Sequence, residues 1–209
     1  MTAQQIIENV FRLYVDDTSE LSSAEELSLC NRIYKKICAK KPWEFLKKNA
    51  TGTFAGTIIA LPADFLYFAE NNQYTDISQE QGVSASKVIF VGTNYSPYRI
   101  VNFSDRLQYR NKDGYAYLDL ANNQIVFTTI PSAGTTYDFD YIKIPSDLAL
   151  GDSPIFPSIF HDMIGYGMAS DDFSILLFEK AKSYQRENEI KFQQGLQDLE
   201  YYNSNLRMD

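Results

Sequence analysis

The feature that most constrains this chain is a change of hydrophobic period at Thr51 that reverses at Pro145. Before Thr51, apolar residues recur at three- and four-residue spacing, the signature of amphipathic helices. Between them lies a block of short segments that alternate apolar and polar and are punctuated by Pro, Gly, Asn and Asp, the pattern of strands and turns. After Pro145-Ser146-Asp147 the helical period returns. A length of 209 residues leaves room for one sizeable core, or for a helical domain carrying a smaller β insertion. The order predicts an α+β fold: a mostly antiparallel four-helix bundle, residues 1–50 and 145–209, with an inserted antiparallel β domain, 51–144, built as a sandwich or open barrel.

The first helix is expected from Ala3 to Val15. It opens on a Thr2/Gln5 capping box and presents Ile6, Ile7, Val10, Phe11 and Tyr14 on one face. The polar stretch DDTSELSS interrupts it. A second helix begins at Ser22 or Ser23, where Glu25 and Glu26 offer capping boxes, and buries Leu27, Cys30, Ile33, Tyr34, Ile37 and Cys38. Pro42 breaks the pattern, and Trp43, Phe45 and Leu46 are expected in a short helical turn. Cys30 and Cys38 are separated along one helix by about 12 Å, too far for a disulfide. They read as buried thiols of a reducing compartment. The predicted strands are Thr51–Leu61, Phe65–Ala69, Lys87–Val91, Tyr98–Val101, Leu107–Arg110, Tyr115–Leu120, Gln124–Ile130 and Thr136–Ile144. Asp113-Gly114 and Asn122-Asn123 are expected to close hairpins, making the last strands an antiparallel meander. Two further helices follow, Phe156–Ala169 and a long Phe173–Asn203, with Asp171 and Asp172 as cap.

Chemistry is sparse. The one histidine, His161, has no nucleophile in an elbow motif beside it and reads as a helix-surface or interface residue. One His and two Cys on a single helix cannot supply a structural zinc set. Asp171-Asp172 suits helix capping better than a hard cation. The stretch TGTFAG lacks the lysine and the strand-loop-helix setting of a phosphate loop. No catalytic, metal or cofactor residue is assigned, and no cofactor is expected. A net charge of −8 disfavours general binding to DNA phosphates. No stretch reaches the roughly 18–20 apolar residues of a membrane span, and the start MTAQQIIENVFRLYVDD reads as a cytosolic N-terminus.

Two surfaces stand out. Lys35, Lys36, Lys40, Lys41, Lys47 and Lys48 are the one local excess of positive charge. They are a candidate contact with passing DNA or with an acidic neighbouring subunit, set against the plainer reading of a solvated face near a helix C-terminus. In the last helix, Phe173, Leu176, Leu177 and Ala181 are expected to pack on the bundle. The polar run KSYQRENEIK then separates them from Phe192, Leu196, Leu199 and Tyr202, a candidate docking set for a neighbouring subunit or other partner.

Four segments in this order resemble the head-to-tail adaptor proteins of tailed phages, including the tail accessory or tubular proteins of short-tailed phages. They are CAKKPWEFLKK (38–48), GTIIALPADFLYF (56–68), YLDLANNQIVFTTIPSAGTTYDFDYIKIPSDL (117–148) and PIFPSIFHDMIGYGMASDDF (154–173). The resemblance implies a virion protein of the neck, assembled in the host cytoplasm. It implies a dodecameric ring beneath the portal that extends the DNA channel and gives a docking platform for tail components. The implied partners are the portal protein, other tail or neck ring proteins, copies of itself and the DNA passing through, with no membrane and no active site. The polar loop Asn71–Ser86 is longer than the family minimum and is a candidate lineage-specific contact. Two other readings compete. One is a carbohydrate- or receptor-binding β module using the Tyr-rich strands as a stacking platform; the other, third in rank, is a cryptic hydrolase.

Overall fold

A computed structural model of the chain describes residues 1–17, 19–69, 83–129 and 131–206. The chain forms two compact units, Met1–Leu46 with Pro145–Asp209, and Lys47–Ile144.

The first unit is helical. Helix α1 (Ala3–Asn9) starts on the Thr2/Gln5 capping box and α2 (Ser23–Ala39) on the Ser22/Glu25 box, each with both reciprocal bonds formed. The predicted first helix stops short of Val15: after Asn9 the chain tightens into a 3₁₀ turn over Phe11–Tyr14. Another such turn, Glu44–Leu46, follows Trp43, which is fully buried and donates its indole N–H to the Ile37 carbonyl at 2.8 Å. The Asn31 amide accepts from the Leu148 N–H at 2.7 Å and donates to the Leu148 carbonyl at 3.0 Å, fixing the chain where it re-enters the unit. Cys30 and Cys38 are buried and form no disulfide among the described residues, and burial pushes the Cys30 thiol up to about 12.

Helix α3 (Asp162–Ser170) lies at the centre of this unit, packed on α1, α2 and α6. Its GYG sequence explains how. A Cβ on Gly165 would sit 2.5 Å from Val10, and one on Gly167 would sit 2.7 Å from Ile33 and 2.9 Å from the Phe192 ring. Only glycine lets three neighbours approach this closely.

The long final helix does not form as one piece. It is broken into α4 (Asp172–Leu177), α5 (Glu179–Ser183) and α6 (Gln185–Leu206). Phe178, extended at φ −122° and ψ 117°, and Tyr184 mark the breaks. No Gly or Pro lies between Asp172 and Gly195, so local propensity does not cause them. Phe178 is 2% exposed, and burying its ring is what turns the chain.

The second unit is an eight-stranded sheet: β1 (Lys47–Thr53), β2 (Ile58–Ala60), β3 (Phe65–Phe68), β4 (Val83–Val91), β5 (Ser96–Val101), β6 (Tyr115–Asp119), β7 (Gln124–Phe127) and β8 (Thr136–Lys143). The order is β1-β8-β4-β5-β6-β7-β2, with β3 also on β8. Its two ends, β1 and β2, are consecutive in the chain, so the sheet curls until its ends meet through residues 54–57. The Phe54 N–H bonds the Thr135 carbonyl and the Phe127 N–H bonds the Thr57 carbonyl across that bend. Phe68, Ile89, Ile125, Phe127, Phe139 and Tyr141 fill the interior. The strand alternation of Phe139 and Tyr141 with Asp138 and Asp140 delivers those two rings to it.

A four-helix bundle with an inserted antiparallel domain is therefore not what forms. Among the described residues the helical unit has six α-helices, two of them short, and the sheet is mixed. β5 and β6 run parallel, Arg99 opposite Tyr115 and Val101 opposite Tyr117. Parallel neighbours need a crossover, and residues 102–114 supply it. The predicted strand Leu107–Arg110 is part of that turn-rich crossover. Asp113-Gly114, with Gly114 at φ 82°, ends the crossover instead of closing a hairpin. Asn122-Asn123 does close a hairpin, β6–β7, with Asn123 at φ 57°. Of the predicted loop Asn71–Ser86, residues 71–82 lie outside the described residues, and from Val83 the chain is in β4.

Candidate interaction surfaces

The six lysines fall in both units, four in the helical one and two in the sheet. Five have carboxylate partners. Lys35 meets Asp147 at 2.6 Å, and Lys40 and Lys41 flank Glu200 at 3.5 and 3.1 Å. Lys47 meets Asp140 at 3.3 Å and Lys48 meets Asp64 at 3.0 Å. The Lys41 hydrogen bond, more than any other contact, holds the Glu200 carboxyl below the usual range. Lys36 is exposed with no ion pair among the described residues. Paired surface cations contribute little stability, but their charge is already partly answered within the chain.

The apolar sets of the C-terminal stretch exchange the places expected of them. Phe192, Leu196 and Leu199 are buried, and Tyr202 is half-buried with its ring against Phe160 at 5.7 Å. These residues form the stripe that seats α6 on α3. The proximal set is the exposed one: Leu176 is 86% exposed, Phe173 and Leu177 both 40%, and only Ala181 is buried. The cause is the break at Phe178, which takes the core position that periodicity gave to its neighbours. Phe173 also borders a hollow of about 200 Å³ with Glu25, Ser28, Leu29 and Arg32. Asp171 caps α4, accepting from the Phe173 N–H at 3.1 Å, and pairs with Arg32.

His161 is not a surface residue. It is 2% exposed, its Nε2 lies 2.8 Å from the Phe156 carbonyl, and its Nδ1 lies 2.9 Å from the Met1 amine and 2.8 Å from the Met1 carbonyl. Burial is the main cause holding its pKa below the ordinary value. An imidazole with both nitrogens engaged by backbone and chain terminus is an anchor, and no hydroxyl or thiol is bonded to it.

Three features escaped the sequence reading. Arg12 makes a two-pronged pair with Glu26, 2.9 Å from Nε and 2.7 Å from a terminal nitrogen, and the Glu26 side chain is 3% exposed. Only the three-dimensional fold brings these together. Asn188, inside the polar run that was expected to bury little, is fully buried with neither amide atom hydrogen-bonded. Its position one turn before Phe192 on the buried stripe was legible, though its amide argued for solvent. The crossover carries Arg106, Arg110 and Lys112, which make no ion pair among the described residues, Arg106 lying 3.9 Å over the Phe103 ring. Beside them, Leu107 is 71% exposed. Two open hollows of about 470 and 490 Å³ in the sheet unit share Gly92 and Thr93; the first is lined mainly by polar side chains and backbone, the second also by the rings of Phe90, Tyr95 and Tyr137.

Among the described residues no group of three His, Cys, Asp or Glu is placed to hold a metal ion, and no helix is long and apolar enough to cross a membrane. Tyr141 is buried and Tyr137 packs on Phe54 and Phe139, so these strand rings are core more than platform. Apart from the buried Asn188 amide, the polar clusters described are caps, anchors and ion pairs, and the remaining prominent features are apolar and cationic surface. Surface of this kind is what contact with other macromolecules uses. The chain matches the model of the SU10 adaptor protein family over residues 1–209 and belongs to that family. These are phage head-to-tail adaptors, so the chain is a structural adaptor of the virion that works among other phage head and tail proteins. No curated protein matches it.

Proposed function

We propose that the protein assembles as a ring, dodecameric as the resemblance implies, between the portal and the tail. There it lengthens the DNA channel and presents a platform for the next tail component. The observation that carries this reading is the family match along the whole chain. Its partners are the portal protein, other neck or tail rings, its own copies and the DNA in transit, and it assembles in the host cytoplasm. The helical unit, Met1–Leu46 with Pro145–Asp209, and the sheet unit, Lys47–Ile144, serve different neighbours.

The lysines are proposed as a contact with channel DNA or a neighbouring copy, led by the unpaired Lys36. Reversing Lys35, Lys36 and Lys40 to Glu is expected to leave the monomer folded and to reduce ring formation or DNA retention. Normal assembly and full heads would return these lysines to the solvated-face reading. The α6 residues Phe192, Leu196, Leu199 and Tyr202 are proposed as a docking element. Because their side chains are buried in the described chain, docking through them requires α6 to leave α3.

A further inference from the structure

We infer that residues 172–206 are an exchangeable arm, and that in the assembly α6 leaves its own α3 and seats on the α3 of a second copy. The inference rests on the proposed self-assembly and names the contact that would hold neighbours together.

Three observations carry it. First, the α4–α5–α6 stretch is broken at Phe178 and Tyr184 although no Gly or Pro lies between Asp172 and Gly195. Burial of Phe178 accompanies the first break, with the Lys180 N–H donating to the Asp16 carboxylate at 2.7 Å just after it. At the second, the Tyr184 ring lies against Tyr14 at 5.7 Å. The sequence on its own favours one continuous helix. Straightened, Asp172–Leu206 would be a rod about 50 Å long, enough to carry the α6 stripe to a neighbour.

Second, the seat of α6 is shaped for this helix alone. Phe192 rests where Gly167 has no side chain, and Gly195 comes so close to α3 that a Cβ there would lie 2.8 Å from the Met163 Cβ. Every copy carries the same groove, so the surface that best fits the stripe outside its own chain is a second copy's α3. Exchanging an identical element between protomers keeps its contacts and is a low-cost route to association.

Third, the seat is flawed at its root. Asn188 is 0% exposed with donor and acceptor both unpartnered, whereas Asn203, at the other end of the stripe, accepts from the Glu44 N–H at 2.8 Å. An orphaned buried amide weakens the packing that holds it. The orphaned amide lowers the cost of lifting α6 from its seat, and Phe192, Leu196 and Leu199 then reseat on the neighbour.

A cysteine pair at Phe160 and Tyr202, whose rings meet at 5.7 Å, with Cys30 and Cys38 changed to Ala, reads the exchange directly when joined by a short bismaleimide. Linking the monomer is expected to give a bridge within one chain and a protein that no longer assembles. Linking the assembly is expected to give a covalent ladder on a denaturing gel. Assemblies whose bridges all lie within single chains overturn the exchange and leave the ring reading standing. A wild-type chain that does not self-associate, alone or on portal rings, overturns both. As a second measurement, Asn188→Leu is expected to slow amide exchange across α6 about tenfold and to retard assembly. Asn188→Ala serves if leucine overfills the site. Faster α6 exchange in the folded variant would refute the role given to the orphaned amide.

Discussion

Replacing His161 tests the reading of it as an anchor. His161→Ala removes the partner of the buried Phe156 carbonyl, 2.8 Å from Nε2, and the edge contact of the imidazole with the Phe156 ring at 5.5 Å. An orphaned buried carbonyl costs about 1–3 kcal/mol. The space left by an imidazole, roughly 60 Å³, adds about 1.5 kcal/mol at ~24 cal/mol per Å³ when it does not collapse. The expected loss is about 2.5–4.5 kcal/mol, read by urea unfolding followed by far-UV circular dichroism. His161→Gln keeps a donor at the Nε2 position and should recover more than half of it. The pH dependence follows in sign. The folded pKa is depressed by burial, so the folded state binds fewer protons. Its stability is complete above the unfolded value of about 6.5 and falls as pH drops from there through the folded value. His161→Gln should flatten that slope. An alanine variant within about 0.5 kcal/mol of wild type, inside the usual range for surface substitutions, or alanine and glutamine variants of equal stability, would refute the anchor.

Other perturbations follow from the same packing. Arg12→Ala leaves the Glu26 carboxylate buried without its cation and should cost about 2–4 kcal/mol, below the full cost of a wholly buried pair because Arg12 is partly exposed; a double-mutant cycle with Glu26→Gln in urea melts checks the coupling. Gly165→Ala drives a methyl into Val10 and should destabilise the helical unit by about 1–3 kcal/mol, visible as a lower thermal midpoint. A chain ending at Ser183 loses the burial of Phe192, Leu196 and Leu199, about 1.5–3 kcal/mol each. That sum rivals the whole stability of a domain, so the truncated chain is expected to aggregate or melt early in size-exclusion and thermal scans.

The parts of this molecule that are written locally were legible. Both capping boxes, the buried faces of α1 and α2, the Trp43 turn and the alternation through Phe139 and Tyr141 all follow from residue spacing. The failures came where tertiary contacts outvoted local pattern. Nothing near Phe178 in the sequence announces a break, because the cause is a pocket assembled from other elements. The apolar triad Phe173, Leu176 and Leu177 looked like core for the same reason, since periodicity shows that a face exists and not what covers it. The Asp113-Gly114 turn was rightly placed, but a turn does not reveal which strand it leads to. The parallel β5–β6 pair, and with it the basic crossover, was hidden. The lysines were visible as a cluster; their acidic partners Asp147 and Glu200 lie more than a hundred residues away.

The central claim is that this chain works by joining phage structural proteins. Mass photometry of the purified protein, with and without rings of its phage's portal protein, tests it most directly. The expected result is a discrete heavier species in which many copies sit on each portal ring, formed at the expense of the free chain. Free chain and unaltered portal rings side by side at every mixing ratio would contradict it.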